Sequence, residues 1–339
     1  MKIAIHYRKD SFSDRWISYC EKSRIAYKIV DAYSSDIVNQ VSDCDAFMWH
    51  HHHTNPKDVL FARQLLFSLE TAGKRVFPDS RTVWHFDDKV AQKYLLESIG
   101  APLVPSYVFY DKKEAMAWAD ATSFPKVFKL RGGSGSSNVK LARTKLDAFK
   151  YIRKVFGKGF LQSRFTDCIH EQYRKYKEGL ISYMNFINYT VGLLFIRNSF
   201  GNAIHPEKGY AYFQDFIPQN DFDIRICIVD NKAFAIKRFC RKGDFRASGS
   251  GHISYAKTDI DKQCVRIAFD VVQKLRCQSI GIDFIFDQEG SPRIVELSYG
   301  FTATGYDKCE GYWDTDMNWH GGSHFDFCGW MVENVIRNL

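Results

Sequence analysis

The stretch SIGIDFIFDQEGSPRIVELS, residues 279–298, consists of two apolar runs joined by a polar turn, which is the pattern of a β-hairpin. A two-residue turn at Glu289-Gly290 would place Asp283 directly opposite Glu296, with the carboxylates about 5 Å apart. A turn centred one residue earlier would make the pair diagonal but keep it on one face. Two unrelated surface carboxylates are the alternative, which the strongly apolar strands disfavour. Like charges this close need a cation, and such a pair is typical of a Mg²⁺ site that also holds nucleotide phosphates.

A second hairpin is predicted in DFDIRICIVDNKAFAIKRF, residues 221–239. A tight turn at residues 230–231 would place Asp223 opposite Arg238 and put Arg225 on the same face. Paired guanidinium groups stabilise a transferring phosphate or bind a carboxylate. A structural network with Asp223 is the alternative.

A glycine-rich and serine-rich loop, RGGSGSSN at residues 131–138, joins the predicted strands PKVFKL and VKLA. Its backbone N–H groups can approach phosphate oxygens closely, and its serines add donors. The loop lacks the GK[ST] ending of a P-loop and the following helix of a Rossmann motif, so a plain loop is the alternative. Strand alternation puts Lys129 just before the loop, where an ammonium group would neutralise phosphate; an exposed edge lysine is the competing interpretation.

A third polar segment, GDFRASGSG at residues 243–251, is predicted to be a lid. Its Arg246 and Ser248 would close over phosphates.

The first third of the chain alternates short apolar runs with helical patterns, as parallel β-α-β units do, and predicts a small doubly wound domain. MWHHHH, residues 48–53, ends one of its strands. Because ligands favour the carboxyl edge of parallel sheets, we expect the polar wall of a substrate pocket there, formed by His6, His50, His51, His52 and His53. A zinc site and simple loop decoration are the alternatives.

Composition and charge limit the classes of protein to which the chain can belong. The chain has 339 residues, 45% of them hydrophobic, and nine cysteines without a C-x-x-C pair, which favours a globular protein of the reducing cytoplasm. The N-terminus lacks a secretory signal, and the apolar stretch at residues 180–196 is too short to span a bilayer, although a peripheral membrane contact stays an alternative. The net charge of +8 fits an anionic ligand, and without an RNA- or DNA-reading motif we expect no nucleic-acid partner.

Taken in order, these motifs resemble the ATP-grasp superfamily over roughly residues 85–301. The resemblance is to ribosomal-protein glutamate ligases and other carboxylate–amine ligases, with a weaker similarity to ATP-grasp proteins of bacterial surface-polysaccharide clusters. It implies that the nucleotide is bound by Lys89, Lys129, the loop residues Gly133, Ser134, Gly135, Ser136 and Ser137, the hinge residues Gln214, Asp215 and Phe216, and Asp223 and Ser248. It implies catalytic roles for Arg225, Arg238 and Arg246, and magnesium ligation by Asp283, Glu296 and Ser298. At the position of Ser298, family members usually have Asn, and a serine hydroxyl is a poorer magnesium ligand than an amide oxygen.

The resemblance further implies an α/β chain with an ATP-grasp fold, α+β in its ligase lobes, behind a doubly wound pre-ATP-grasp domain. The expected domains are 1–85, 86–212 with a variable insert, 213–304, and a Trp-rich tail at 305–339. The implied activity joins a carboxylate to an amine through an acyl phosphate, with ATP and Mg as cofactors. Expected partners are small-molecule carboxylate and amine substrates, sugar-linked ones among them, and a homodimer is one option for assembly. A kinase acting on a sugar or polyol hydroxyl, and a nucleotide-binding regulator without turnover, are the alternatives.

Overall fold

The fold was examined in a computed structural model of the chain. It describes residues 1–53, 55–133, 138–160, 169, 172–173, 176–177, 181–200, 206–241, 246–247, 251–322 and 324–337, with only the backbone of 193–200.

The N-terminal residues form a four-stranded parallel sheet of order β2-β1-β3-β4. Its strands are β1 (Lys2–His6), β2 (Ala26–Val30), β3 (Ala46–Met48) and β4 (Arg75–Phe77), and its helices are α1 (Phe12–Lys22), α2 (Ile37–Gln40) and α3 (Pro56–Thr71). Alternate strand residues enter two separate apolar clusters, with Ile3 and Ile5 on one face and Ala4 on the other. The predicted doubly wound arrangement is therefore confirmed.

Helix α3 begins with two common N-terminal features. The Asn55 side chain accepts a hydrogen bond from the Lys57 N–H, and proline occupies the first helical position. In its first turn, Val59 is 62% exposed, whereas Asp58 is buried. The Asp58 carboxylate accepts the His52 backbone N–H at 2.6 Å, which ties the helix to the histidine tract.

A second, antiparallel sheet has the order β5-β8-β6-β7. It contains β5 (Ser106–Phe109), β6 (Lys126–Lys129), β7 (Val139–Ala142) and β8 (Ala211–Asp215), and it packs with α6 (Lys112–Ala121) and α7 (Lys145–Val155). Strands β6 and β7 form the strand-loop-strand hairpin expected around the glycine-rich loop. Three further helices in this part of the chain are α4 (Ser80–Val83), α5 (Lys89–Ser98) and α8 (Tyr183–Phe200).

The third sheet has seven strands in the order β13-β12-β9-β10-β14-β15, with β11 paired to β10. Its strands are β9 (Phe222–Val229), β10 (Lys232–Phe239), β11 (Ile253–Ser254), β12 (Ser279–Phe286), β13 (Pro292–Ser298), β14 (Gly311–Trp313) and β15 (Trp319–Gly321). This part of the chain also contains α9 (Lys262–Leu275), α10 (Phe327–Arg337) and short 3-10 helices at Lys257–Asp259 and Ala303–Tyr306. Among the helices described, none has the length and apolar character that crossing a membrane requires.

The first long hairpin of this sheet has the predicted register. Asp230 and Asn231 both have positive φ, 49° and 61°, as a tight turn of this kind requires. Asp223 accordingly lies opposite Arg238, and Arg225 lies opposite Ile236.

The second hairpin reaches the predicted pairing by a different route. Asp283 lies opposite Glu296, but Phe284 pairs with Ile294, so Val295 is an extra residue in a bulge. The loop is also one residue longer than expected, because Asp287 bonds Ser291 across residues 288–290. The longer loop and the bulge offset each other, and the two carboxylates stay opposite.

The residues after 305 are integrated with the rest of the molecule. Strands β14 and β15 extend the large sheet, and the C-terminal helix α10 packs against α1. Arg337 pairs with both carboxylate oxygens of Asp230 at 3.0 Å, and Arg15 pairs with Asp307 at 2.6 and 2.7 Å. The proposed domain boundaries stay predictions.

Candidate active site

A cavity of about 1040 Å³ lies where the three sheets meet. Fourteen of the predicted site residues line it, namely His50, His52, His53, Lys129, Gly133, Gln214, Asp215, Phe216, Asp223, Arg225, Arg246, Asp283, Glu296 and Ser298. Lys89, Arg238, His6 and His51 are near it without lining it. Ser134, Gly135, Ser136, Ser137 and Ser248 lie outside the described residues.

Lys129 is a buried cation on the cavity wall, contrary to the exposed-edge alternative. Only 5% of the residue is exposed, and its ammonium donates to Gln214 Oε1 at 2.5 Å. Gln214 is itself held, since its amide donates to Ser106 Oγ at 3.0 Å. Burial lowers the pKa of Lys129 to about 8, against the opposing influence of Glu296. An anionic ligand would stabilise the charged form of such a lysine, because it would replace the solvation that burial removed.

The base of the glycine-rich loop is tied to the start of α5. Lys89 donates to the Gly133 carbonyl at 2.7 Å and pairs with Glu296 Oε1 at 3.1 Å. The Gly133 N–H in turn donates to the Asp87 carboxylate at 2.8 Å. Sequence reasoning missed Asp87, although it lies two residues before Lys89 in the same FDDK motif. These contacts connect Gly133, at the base of the loop, through Lys89 to Glu296 of the carboxylate pair.

The two predicted arginines form one ion-pair network with two aspartates. Arg238 binds Asp223 through two hydrogen bonds of 2.6 and 2.7 Å and approaches Asp283 at 3.0 Å. Arg225 binds the Asp283 carboxylate with both Nε and Nη2, the latter at 2.6 Å. Burial raises the pKa of Asp283, but the two guanidinium groups outweigh burial and lower it to about 2. Asp283 is therefore ionised at every physiological pH.

The carboxylate pair fits part of a magnesium site. Asp283 and Glu296 line the cavity from adjacent strands, and cationic side chains now neutralise both. In the described part of the chain, no group of three His, Cys, Asp or Glu side chains converges in a way that could hold a metal. Two carboxylates suffice for a Mg²⁺ that takes its remaining oxygens from nucleotide phosphates and water. The Ser298 hydroxyl donates to the Gly300 carbonyl at 2.6 Å, so its proton faces away from any such ion.

The predicted hinge lies at the end of β8, with Gln214 and Asp215 inside the strand and Phe216 just after it. Asp215 pairs with Lys126 at 2.5 Å, and Phe216 continues the cavity wall beyond it. Arg246 reaches the same cavity from the predicted lid segment.

The histidine tract, residues 50–53, is neutral, and one of its four members differs from the others in direction. His50, His52 and His53 line the cavity, whereas His51 lies in the core, where the Tyr299 hydroxyl donates to its carbonyl at 2.6 Å. Burial lowers the pKa of His51 and of His52 to about 3. His6 also faces the interior, because its Nδ1 accepts the Ala32 N–H at 3.0 Å.

Three cationic side chains on the cavity wall, Arg8, Arg143 and Arg241, were not predicted. Arg8 follows β1 by two residues and lines the cavity beside the tract. The signal that could have identified it is its position at the carboxyl edge of a parallel strand, the same signal that pointed to the histidines.

Several solved structures are similar to this chain over nearly its whole length. D-cycloserine synthetase DcsG is similar over 99% of this chain and 99% of its own, with 13% identity and a TM-score of 0.61. D-alanine–D-alanine ligase from Bacillus anthracis, solved with ATP, is similar over 100% and 98%, with 13% identity and a TM-score of 0.55. The ATP-grasp ligase PsnB, solved with minimal precursor, Mg and ADP, is similar over 99% and 97%, with 11% identity and a TM-score of 0.54. No curated protein matches the chain by sequence.

These likenesses define the class: the chain has the ATP-grasp fold, as the sequence motifs predict. Within that class, residues 200–318 match the family described as the RimK-like ATP-grasp domain. The matched segment contains both long hairpins and the predicted magnesium ligands.

Proposed function

We propose that the protein is an ATP- and Mg-dependent ligase that joins a carboxylate to an amine through an acyl phosphate. The observation that carries the proposal is the convergence, in one cavity, of the buried cation Lys129, the carboxylates Asp283 and Glu296, and Arg225. The ligase names and the ATP, ADP and Mg of the similar structures support it. Adenine would lie against the hinge, with the phosphates toward the glycine-rich loop.

In the first step, an oxygen of the substrate carboxylate attacks the γ-phosphorus of ATP, and the bond to ADP breaks. Lys129 and Lys89 neutralise phosphate oxygens, and Arg225 stabilises the charge on the transferring group. Asp283 and Glu296 would hold a magnesium ion, which would supply further neutralisation of the phosphates. An amine then attacks the acyl carbon, loses a proton and expels inorganic phosphate, which leaves an amide.

The Asp283 network gives this proposal a structural requirement. Arg225 and Arg238 occupy the carboxylate in the structure described here. For Asp283 to bind a metal, at least one of the two arginines must turn away from it toward the phosphates. The phosphates then supply the negative charge that this arginine loses. Nucleotide and metal are therefore expected to bind together rather than separately.

The direct test is an ADP-release screen of amino acids and uronic acids in pairs, followed by mass spectrometry. A ligase gives ADP, phosphate and a product equal to the two substrates minus one water. Glu296→Gln should abolish turnover, and the exposed Glu289→Gln on the nearby hairpin loop serves as the matched control. A stable phosphorylated acceptor would establish the kinase alternative instead.

A nucleotide-binding regulator is the second candidate, and one observation favours it. Ser298 stands where the family usually has a stronger metal ligand, and its hydroxyl is bonded to Gly300. A regulator would bind ATP without ADP release. Ser298→Asn separates the two, because it should raise the turnover of a ligase and leave a regulator inactive.

We place the ligase in the cytoplasm, in keeping with its chemistry and with buried cysteines such as Cys20, Cys227 and Cys264, which are thiols. The resemblance to proteins of surface-polysaccharide clusters motivates a sugar acid or amino acid as substrate. The uronic acids in the screen test that choice.

A further inference from the structure

We infer that Arg8 and His50 form a subsite for a carboxylate group that the reaction does not consume. This inference rests on the proposed ligase function for the identity of the reacting groups, and it names the class of substrate. At least one substrate would carry a carboxylate in addition to its reacting group, as an amino acid does when it reacts through its amine.

The first observation is that Arg8 is held in place by its backbone while its guanidinium stays available. The Arg8 N–H donates to Ser13 Oγ at 2.9 Å, and the Ser13 hydroxyl donates back to the Arg8 carbonyl at 2.9 Å. Among the described residues, its one ion pair is with Asp58 at 3.9 Å, which is longer than a hydrogen bond. A cation fixed on a cavity wall in this way is suited to bind an anion.

Two hydrogen bonds hold the Asp58 carboxylate in a position from which it does not reach Arg8 at hydrogen-bond distance. Oδ1 accepts the Tyr33 hydroxyl at 2.5 Å, and Oδ2 accepts the His52 N–H at 2.6 Å. Both bonds fix the histidine tract and the turn before α3. The Asp58 carboxylate thus serves the local backbone, and the guanidinium of Arg8 keeps its donors for a ligand.

The second observation is that His50 presents a fixed N–H group. Its Nδ1 faces two groups, the Phe12 N–H at 3.2 Å and the Ser11 hydroxyl at 2.9 Å. The backbone N–H can only donate, so Nδ1 is an acceptor, the hydroxyl donates to it as well, and the ring proton lies on Nε2. The imidazole stacks on the Phe12 ring at 3.9 Å and 13°, which fixes its plane. The first amide of α1 is used by this contact, so the helix end itself is not the site.

The third observation is the space in front of that N–H. A Cβ at Gly300 would lie 3.2 Å from His50 Nε2, closer than side chains normally approach. The absence of a side chain at Gly300 leaves a cradle that opens into the cavity, which both residues line. A carboxylate oxygen fits this cradle, since it accepts from Nε2–H and pairs with Arg8.

The neighbouring histidines make the subsite selective for a single negative charge. His51 and His52 are neutral, with pKa values of about 3, and add no positive charge. Asp10 also lines the cavity, yet it makes no ion pair with Arg8 among the described residues. One cation with neutral donors suits a monoanionic carboxylate better than a phosphate.

The test compares matched probes that differ in one carboxylate: amino acids against their carboxamides, and hexaric acids, which have two carboxylates, against the corresponding hexuronic acids, which have one. Binding to the full chain is measured by ligand-observed NMR with Mg and a non-hydrolysable ATP analogue. We expect the wild type to prefer the carboxylate member of one series, which also identifies whether the amine or the sugar acid supplies the group. Arg8→Gln should reduce that preference about 10- to 100-fold, as loss of a charge-assisted hydrogen bond does. Arg24→Gln, an exposed arginine of the same domain, should keep it.

A second pair of variants tests the cradle independently of charge. Gly300→Ala should weaken binding of the preferred probe about 10-fold because the methyl group occupies the space before Nε2. Gly305→Ala is the control, since a Cβ there meets nothing within 4 Å. The inference is overturned if the wild type shows no carboxylate preference, or if the preference persists in both Arg8→Gln and Gly300→Ala.

These outcomes are separate from those of the ligase proposal. Carboxylate preference that depends on Arg8, without ADP release under any condition, would support the subsite and reject the ligase. An amide product formed by Arg8→Gln with unchanged KM for both substrates would do the reverse.

Discussion

Replacing Lys129 with methionine should stabilise the protein and weaken its binding of ATP. The ammonium of Lys129 is buried, and its pKa is lowered from 10.5 to about 8. At 1.36 kcal/mol per pH unit, this shift corresponds to about 3 kcal/mol of lost folding stability. Methionine also leaves the Gln214 amide oxygen without its donor, which costs about 1–2 kcal/mol. The expected net gain at pH 7 is therefore about 1–2 kcal/mol.

The sign of the pH dependence follows from the same numbers. Below pH 8 the lysine is protonated in both the folded and the unfolded chain, so the full penalty applies. Between pH 8 and 10.5 the folded chain has lost the proton that the unfolded chain retains, and the penalty declines toward zero. The advantage of Lys129→Met should thus shrink as the pH rises through this window.

Urea unfolding at pH 7, 8.5 and 10 measures the stability difference, and titration calorimetry measures the affinity for ATP. Lys140→Met, an exposed lysine on the neighbouring strand β7, is the matched control and should change neither. ATP affinity of Lys129→Met should fall about 10- to 100-fold. A variant less stable than the wild type at every pH, or one that binds ATP with unchanged affinity, would refute the reasoning.

Three further outcomes are expected. Asp283→Asn removes the charge shared by Arg225 and Arg238 and should lower the free energy of unfolding by about 3–5 kcal/mol. A loss below about 1 kcal/mol, measured by urea unfolding, would show that the Asp283 carboxylate does not hold the two arginines. His51 has a pKa of about 3 in the folded chain, so below pH 6.5 the unfolded chain binds a proton that the folded chain does not, and the free energy of unfolding falls as the pH falls. At pH 5, His51→Phe should avoid about 2 kcal/mol of that loss. The prediction is contradicted if the free energy of unfolding depends on pH equally in His51→Phe and in the wild type. His52→Ala should raise the KM for the identified acceptor, whereas His51→Phe at pH 7.5 should leave it within about twofold, since His52 but not His51 lines the cavity.

Local patterns predicted the registers that build the site. The turn at Asp230-Asn231 fixed the pairing of Asp223 with Arg238, because both turn residues tolerate positive φ. The pairing of Asp283 with Glu296 was also right, although the predicted turn was not. The extra loop residue and the bulge at Val295 have opposite effects on register, and neither has a sequence signature strong enough to be read alone.

Interactions between distant segments could not be predicted. The role of His50 depends on the end of α1, since its Nδ1 accepts the Phe12 N–H across 38 residues of sequence. Arg8 was missed because it shows no motif, and its importance emerges only when the hydrogen bonds that hold Asp58 away from it are known. The four tract histidines are also indistinguishable in sequence, which does not show that His51 alone lies in the core.

The central claim, an acyl-phosphate ligase, is tested most directly by isotope transfer. A carboxylate substrate found in the screen, labelled with oxygen-18 in both carboxylate oxygens, is converted with ATP, Mg and the amine. The mechanism predicts that each released phosphate carries one oxygen-18 atom and that the amide keeps the other, in equal amounts. Unlabelled phosphate with both labels in the product, or phosphate retained on the acceptor, would contradict it.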